Sequence, residues 1–117
     1  MTPGSGPAEP VVRHYQALDR NDIEAANTAI HNDSPTGGEL PEDTVEQARK
    51  TDYVIKEVEV LSESSDRAEV RIVFTGTNTE TGTKRTNELR IEVRPAGDEW
   101  KMWKILSFET LETTQND

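Results

Sequence analysis

The hydrophobic pattern of this chain changes its period once, near Tyr53, and that change constrains the fold more than any other feature. Upstream of it, apolar residues recur at helical spacing, as Val11, Tyr15 and Leu18 do. Downstream of it, apolar residues alternate with polar ones, most regularly over residues 68–75. A helix buries every third or fourth residue, and a strand buries every second one. The pattern therefore predicts an α+β domain in which helices come first and an antiparallel sheet follows, and 117 residues suit one such domain.

Three helices are predicted in the first half of the chain. The first covers residues 8–19, and the second covers residues 23–31 after a cap offered by Asp22. Pro41 opens the third helix, because a first turn has no intrahelical N–H bond for proline to remove. Residues 1–7 are rich in Pro and Gly, and we expect them to form a flexible leader.

Four strands are predicted in the second half, joined by short links that make them consecutive antiparallel hairpins. In chain order they cover residues 53–62, 68–75, 88–94 and 99–108. Residues 8–109 then form the folded domain, and residues 110–117 are expected to be a disordered acidic tail.

The alternation also predicts which strand residues face the core. Those expected to be buried are Val70, Ile72, Leu89, Ile91 and Ile105. On the first strand, Val54, Val58 and Val60 are expected to point inward. The last strand carries apolar residues on both faces, so we place it centrally in the sheet or against a partner. One of its two tryptophans, Trp100 or Trp103, is then left outside the core.

The surface of this chain is strongly acidic, with 23 Asp and Glu against 13 Lys and Arg and a formal net charge of −10. Such a surface repels phosphate backbones and anionic lipid, so we expect no nucleic-acid partner. Only five of the basic residues are Lys, while Thr occurs 14 times, a composition similar to that of proteins from salt-loving archaea. At molar salt the Debye length is only about 3 Å, so crowded carboxylates no longer repel one another. An ordinary acidic mesophilic protein is the alternative.

Several classes of protein are excluded by residue types that the sequence lacks. Without Cys, disulfides, thiol catalysis and Cys-ligated metals are ruled out. No apolar run approaches the roughly 20 residues of a transmembrane helix. His14 and His31 do not have the spacing of paired metal ligands, and no phosphate-binding or dinucleotide-binding motif occurs. We therefore expect neither a metal nor a cofactor.

Three stretches of the chain carry a resemblance to a known superfamily. In residues 11–26, a helix ending in Ala-Leu leads through a polar turn into a helix that begins with an apolar residue and Ala. Residues 53–60 with 68–72 form the second stretch, and residues 97–105, with Trp-Lys-Ile, resemble a closing strand. With this order of elements the chain resembles the NTF2-like superfamily, the cystatin-like α+β cone, over residues 8–108. The resemblance implies three N-terminal helices packed on a curved four-stranded antiparallel sheet that encloses a pocket.

The resemblance is closest to a branch of small domains often found on exported bacterial and archaeal lipoproteins. The chain has no Cys, so a lipid anchor requires residues outside this sequence. The location therefore stays open between the cytoplasm and the cell surface. NTF2-like domains commonly pair through the outer face of the sheet, so the resemblance also implies a homodimer.

Enzymes of this superfamily use a His or an Asp inside the cone as a general base. The candidates in this chain are His14, His31, Asp19 and Asp52. His14 and Asp19 are five residues apart and do not share a helical face, so they form no ready dyad. We expect His14 to be half-exposed at the border of its helix and His31 to be solvated at a helix end. No catalytic residue is therefore predicted.

Aromatic residues are the candidates for ligand binding. Tyr15, Tyr53, Phe74 and Trp103 can line a pocket for a small apolar ligand, and the same four residues can equally well form the core. We predict a non-catalytic accessory or ligand-binding domain. The alternatives are a small general-base enzyme of the same fold (an isomerase, dehydratase or hydrolase) and a protein-interaction module that uses the sheet.

Overall fold

Helices precede strands along the chain, in the order that the change of period predicts. The computed structural model describes residues 6–114, and within that range it contains three helices and four strands. The helices are α1 Ala8–Asp19, α2 Ile23–Thr28 and α3 Glu42–Arg49, and the strands are β1 Thr51–Glu63, β2 Ala68–Asn78, β3 Lys84–Ala96 and β4 Glu99–Thr114. Most of the expected leader, residues 1–5, and the end of the expected tail, residues 115–117, lie outside the described residues. No helix of the described part is long and apolar enough to cross a membrane.

The strands form one antiparallel sheet in sequential order, β1-β2-β3-β4. β4 therefore lies at an edge of the sheet. Of the two placements expected for it, the central one is wrong, and the one against a partner stays a prediction. β4 also continues beyond residue 109, because Thr114 pairs with Lys84 and the hydroxyl of Thr110 donates to Oδ1 of Asn87 at 3.0 Å. Residues 110–114, expected in the tail, thus belong to the sheet.

Bulges in β4 explain why its sequence is apolar on both faces. The register against β3 shifts three times, and the extra residues on β4 are Trp103, Leu106 and Leu111. Each bulge moves the alternation by one residue, so Ile105 and Phe108 share the inner face with Ile91 and Leu89, their direct partners. The apolar pattern of β4 thus reflects bulges in an edge strand rather than burial on both sides.

α2 is shorter than its periodicity indicates. Asp22 caps it as predicted, with the N–H of Ala25 donating to Oδ1 at 3.1 Å. The helix ends at Thr28 because the next residues bind β4: Met102 N donates to Ala29 O, and His31 N donates to Met102 O, each at 2.8 Å. The predicted end at residue 31 is therefore wrong, since a long-range bridge replaces the last helical turn.

The core lies between α1 and the inner face of the sheet. Four of the predicted strand residues are buried there: Val70, Ile72, Leu89 and Ile91. Val11 and Leu18 of α1 belong to the same cluster. Ile105 was expected to be buried but is 54% exposed, because it borders a cavity instead of packing against a helix.

A bulge in β1 reverses part of the predicted inward set. The register against β2 shifts between Ile55 and Glu57, so Tyr53, Ile55 and Val58 pack against the core together. Val54 precedes the shift and is 54% exposed, which corrects its expected inward position. Val60 faces inward, opposite Val70, but is largely exposed because it lies near the end of this edge strand.

The outer face of the sheet carries ion pairs rather than an apolar patch. Arg71 Nη1 contacts Glu57 at 2.9 Å and its Nε contacts Glu88 at 3.0 Å, bridging three strands. Trp100 is buried, whereas Trp103 lies outside the core, as expected of one of the two tryptophans, with the Arg94 guanidinium 4.0 Å from its ring centroid. The homodimer expected through this face of the sheet stays a prediction.

Candidate functional site

An apolar cavity of about 400 Å³ lies between the helices and the inner face of the sheet. Its walls come from α1, the segment between α2 and α3, the start of β1 and the middle of β4. Ile105 and Phe108 border it and are 54% and 62% exposed, so this side of the cavity is open to solvent. Inward-facing apolar side chains of β4 thus form part of the wall of the cavity.

All four residues predicted to contact a ligand line this cavity. Tyr15 stacks on Phe74 with 4.6 Å between ring centroids, and Tyr53 lies 5.5 Å from Phe74 and 5.9 Å from Tyr15. Trp103 lines the cavity from β4. Tyr15 and Phe74 also belong to the core cluster, so the wall of the cavity and the core are partly the same residues.

His14 also lines the cavity, and its expected half-exposed position is wrong. Only 3% of His14 is exposed, and its Nδ1 lies 2.8 Å from the carbonyl oxygen of Ala26, which joins α1 to α2. Burial lowers the pKa of His14, and the hydrogen bond to Ala26 opposes this only in part. The sequence does indicate that His14 is buried, because it lies three residues after Val11 and four before Leu18, on the apolar stripe of α1.

The other polar rings of the cavity are also uncharged at neutral pH. Burial raises the pKa of the Tyr15 hydroxyl, and the neighbouring Tyr53 raises it further. Burial likewise raises the pKa of Tyr53. Among the described residues no Asp or Glu lines this cavity, and its one charged lining residue is Lys104, which is exposed. The interior can therefore hold an apolar body and form a few neutral hydrogen bonds.

The remaining catalytic candidates lie elsewhere. Oδ1 of Asp19 accepts a hydrogen bond from the backbone N–H of Tyr53 at 2.9 Å, which ties the end of α1 to β1. Asp52 is exposed on β1. His31 is part-buried rather than solvated: its Nε2 lies 3.0 Å from Pro95 O, and its Nδ1 accepts from Asp33 N at 3.1 Å. None of these three candidates lines the apolar cavity.

A second, more polar cavity of about 680 Å³ adjoins the first. The two share Thr44, Tyr53, Phe74 and Phe108 as lining residues, so they meet along one aromatic wall. The other residues of the second cavity are mostly polar: Asp43, Gln47, Thr51, Gly76, Asn78, Thr81, Thr83, Arg85 and Asn87. Within residues 6–114 no three His, Cys, Asp or Glu side chains are grouped so as to hold a metal ion.

Solved structures with the same architecture show the fold. A putative scytalone dehydratase from Novosphingobium aromaticivorans superposes with a TM-score of 0.71 at 17% identity, covering 93% of this chain and 84% of that one. A putative aromatic ring hydroxylase from the same organism gives 0.66 at 17% identity, covering 92% and 89%. A ketosteroid isomerase-like protein from Erwinia carotovora atroseptica gives 0.62 at 22% identity, covering 91% and 95%. These likenesses confirm the NTF2-like fold.

Sequence comparison identifies a family as well. No curated protein matches the chain. A family model described as the C-terminal domain of the anti-sigma-I factor RsgI9 matches residues 9–111, which span nearly all of the helices and of the sheet. The chain belongs to this family of anti-sigma-I factor RsgI9 C-terminal domains.

Proposed function

We propose that this domain is non-catalytic and binds a small apolar ligand in the cavity of about 400 Å³. The observation that carries the proposal is the cavity itself, since its size lies within the range of about 300–1,000 Å³ typical of small-molecule sites. Its walls are mainly aromatic and aliphatic, and its open side exposes Ile105 and Phe108. Exposed apolar side chains beside a concavity are a common mark of a binding site.

The polar groups of the cavity support binding over proton transfer. General acid–base catalysis needs a group whose protonation state can change near neutral pH, usually held in place by a second charged group. His14 is the group closest to this requirement, but its Nδ1 partner is the carbonyl of Ala26 and not a carboxylate. Tyr15 and Tyr53 ionise only well above neutral pH.

The names of the relatives favour different functions. The structural neighbours are named after enzymes, whereas the family model is named after a domain of an anti-sigma factor. Of these, only the family match rests on the sequence of this chain along most of its length. We therefore favour a recognition domain, and a general-base enzyme that uses His14 remains the alternative.

Protein interaction through β4 is a second candidate, favoured by three exposed apolar residues at its end. Leu106, Phe108 and Leu111 are all exposed on this edge strand. Leu106 and Leu111 are bulge residues, and bulges hinder the pairing of an edge with another strand. A partner, including a second copy of the chain, would therefore contact side chains here more readily than it would extend the sheet.

Fluorescence of N-phenyl-1-naphthylamine, a neutral apolar probe, tests ligand binding. Ile105→Glu places a carboxylate at the open side of the cavity, where a buried charge would oppose binding of an apolar probe. Ile105 is exposed, so we expect the variant to fold. Leu106→Glu is the matched control, because Leu106 is the next residue, is 41% exposed and lines neither cavity. We expect saturable binding to the wild type, a loss of about tenfold or more in Ile105→Glu, and little change in Leu106→Glu. Absence of saturable binding, or equal losses in both variants, would contradict the proposal.

A further inference from the structure

His14 brings a specific hydrogen-bonding atom to an otherwise apolar cavity. We propose that the cavity selects ligands with a hydroxyl group on an apolar body, and that Nε2 of His14 accepts the hydrogen bond from that hydroxyl. This inference rests on the proposed function, because it names the class of ligand that the same cavity takes.

The tautomer of His14 follows from its partner. A carbonyl oxygen has no hydrogen to give, so the contact of 2.8 Å with Ala26 O requires the hydrogen on Nδ1. A neutral imidazole carries one N–H, which leaves Nε2 with a lone pair and no hydrogen. Burial of the ring favours this neutral form. Nε2 is therefore an acceptor.

The placement of Nε2 at the cavity is inferred by exclusion. In the described part of the chain, the side-chain nitrogens that are fully buried without a partner are Arg13 Nε and Trp100 Nε1. Nε2 of His14 is not one of them, although its only ring partner there is Ala26, through Nδ1. His14 lines the cavity and is 3% exposed, and we infer that Nε2 accounts for part of this exposed surface.

The surroundings hold the imidazole in this orientation. The rings of Tyr15 and His14 are perpendicular, with centroids 5.0 Å apart and an angle of 90° between the planes, and the hydrogen bond to Ala26 O holds Nδ1. A ligand that fills the cavity removes water from Nε2. If the ligand has no donor, the acceptor is left unpaired, which costs binding free energy, whereas a hydroxyl restores the hydrogen bond.

The test compares two probes of similar size, 1-naphthol and 1-methylnaphthalene, by titration of the wild type and of His14→Phe. Any effect of the substitution that changes the affinity for both probes equally drops out of the ratio of the two dissociation constants. We expect the preference for naphthol over methylnaphthalene to fall by about three- to tenfold in His14→Phe, the range for one neutral hydrogen bond. An unchanged ratio would overturn the inference.

Nuclear magnetic resonance of the imidazole nitrogens provides a second readout that needs no variant. Naphthol should shift the Nε2 resonance of His14 toward the hydrogen-bonded range, and methylnaphthalene should not. His31 is the internal control, because both its ring nitrogens already have partners and it does not line the cavity. If both probes bind but Nε2 does not respond to naphthol, this inference fails and the proposed function stands. If neither probe binds, the proposed function fails and this inference fails with it.

Discussion

Lowering the pH from about 7.5 to about 5.5 is expected to destabilise this domain through His14. Burial lowers the pKa of His14 in the folded state below its ordinary value of 6.5. Between the lowered pKa and 6.5, the unfolded chain therefore binds a proton that the folded chain does not. The contribution of neutral His14 to the free energy of unfolding is therefore fully present above pH 6.5, and it is lost as the pH decreases through that window.

The size of the effect is bounded by the linkage relation. If the folded state keeps His14 neutral throughout, the free energy of unfolding falls by about 1.4 kcal/mol over this range, the equivalent of one pH unit below 6.5. A folded pKa only slightly below 6.5 gives a smaller loss. Most carboxylates have pKa values near 4 and change little above pH 5.5, so His14 is expected to dominate the difference between wild type and variant.

Urea unfolding followed by tryptophan fluorescence measures this loss, since Trp100 is buried in the core. His14→Phe is the control, because it removes the titrating group and keeps an aromatic ring. If Phe does not fold, His14→Gln is the substitute, since its amide N–H can donate to Ala26 O as the imidazole does. We expect the loss of stability with falling pH to be smaller in the variant by up to about 1.4 kcal/mol. Identical pH dependence in both proteins would refute the burial of a neutral His14.

Three further outcomes are expected. The melting temperature should rise markedly between dilute buffer and molar KCl, because screening relieves repulsion within a chain of net charge −10; a flat response would contradict adaptation to high salt. Ile72→Ala should cost about 2–5 kcal/mol of unfolding free energy and Ile105→Ala well under half of that, because only Ile72 is buried; equal costs in urea titrations would contradict the core assignment. Light scattering at tens of micromolar in high salt should detect a homodimer that Leu106→Glu with Leu111→Glu dissociates, and a wild-type monomer would contradict pairing.

The fold could be predicted because it depends on periodicity and on local capping. The bounds of α1 agree with the predicted residues 8–19, and the first residues of α2, β2 and β4 agree as well. Short links force neighbouring strands to pair, so the strand order also follows from the sequence. These features require only interactions between residues close in the chain.

The errors arise where distant parts of the chain meet. The end of α2 is determined by hydrogen bonds to Met102, which lies more than 70 residues further along the sequence. No local pattern encodes such a contact. The bulge in β1 changes which residues face inward, and therefore Val54 was misplaced. Ile105 faces inward as expected, but it borders the cavity and is therefore exposed rather than buried. His14 was misplaced for a different reason: its position on the apolar stripe was visible, but the partner that makes its burial tolerable, Ala26 O, belongs to another helix.

The cavity followed only in part from the sequence. Tyr15, Tyr53, Phe74 and Trp103 were predicted as either a pocket lining or core, and the structure places them around one cavity. Ile105 was expected to face inward, but as part of the core and not at the open side of a cavity. The inward direction of Phe108 could not be assigned, because it depends on a bulge of β4.

Methyl NMR during titration with N-phenyl-1-naphthylamine tests the central claim, binding of an apolar ligand in the cavity, most directly. We predict saturable shifts concentrated on methyl groups that line the cavity, among them those of Leu18, Leu40 and Ile105. The methyl groups of Leu61 and Leu106, which are exposed but line neither cavity, should stay unchanged. Shifts that favour Leu61 or Leu106, or no saturable shift at any concentration up to the solubility of the probe, would contradict the account.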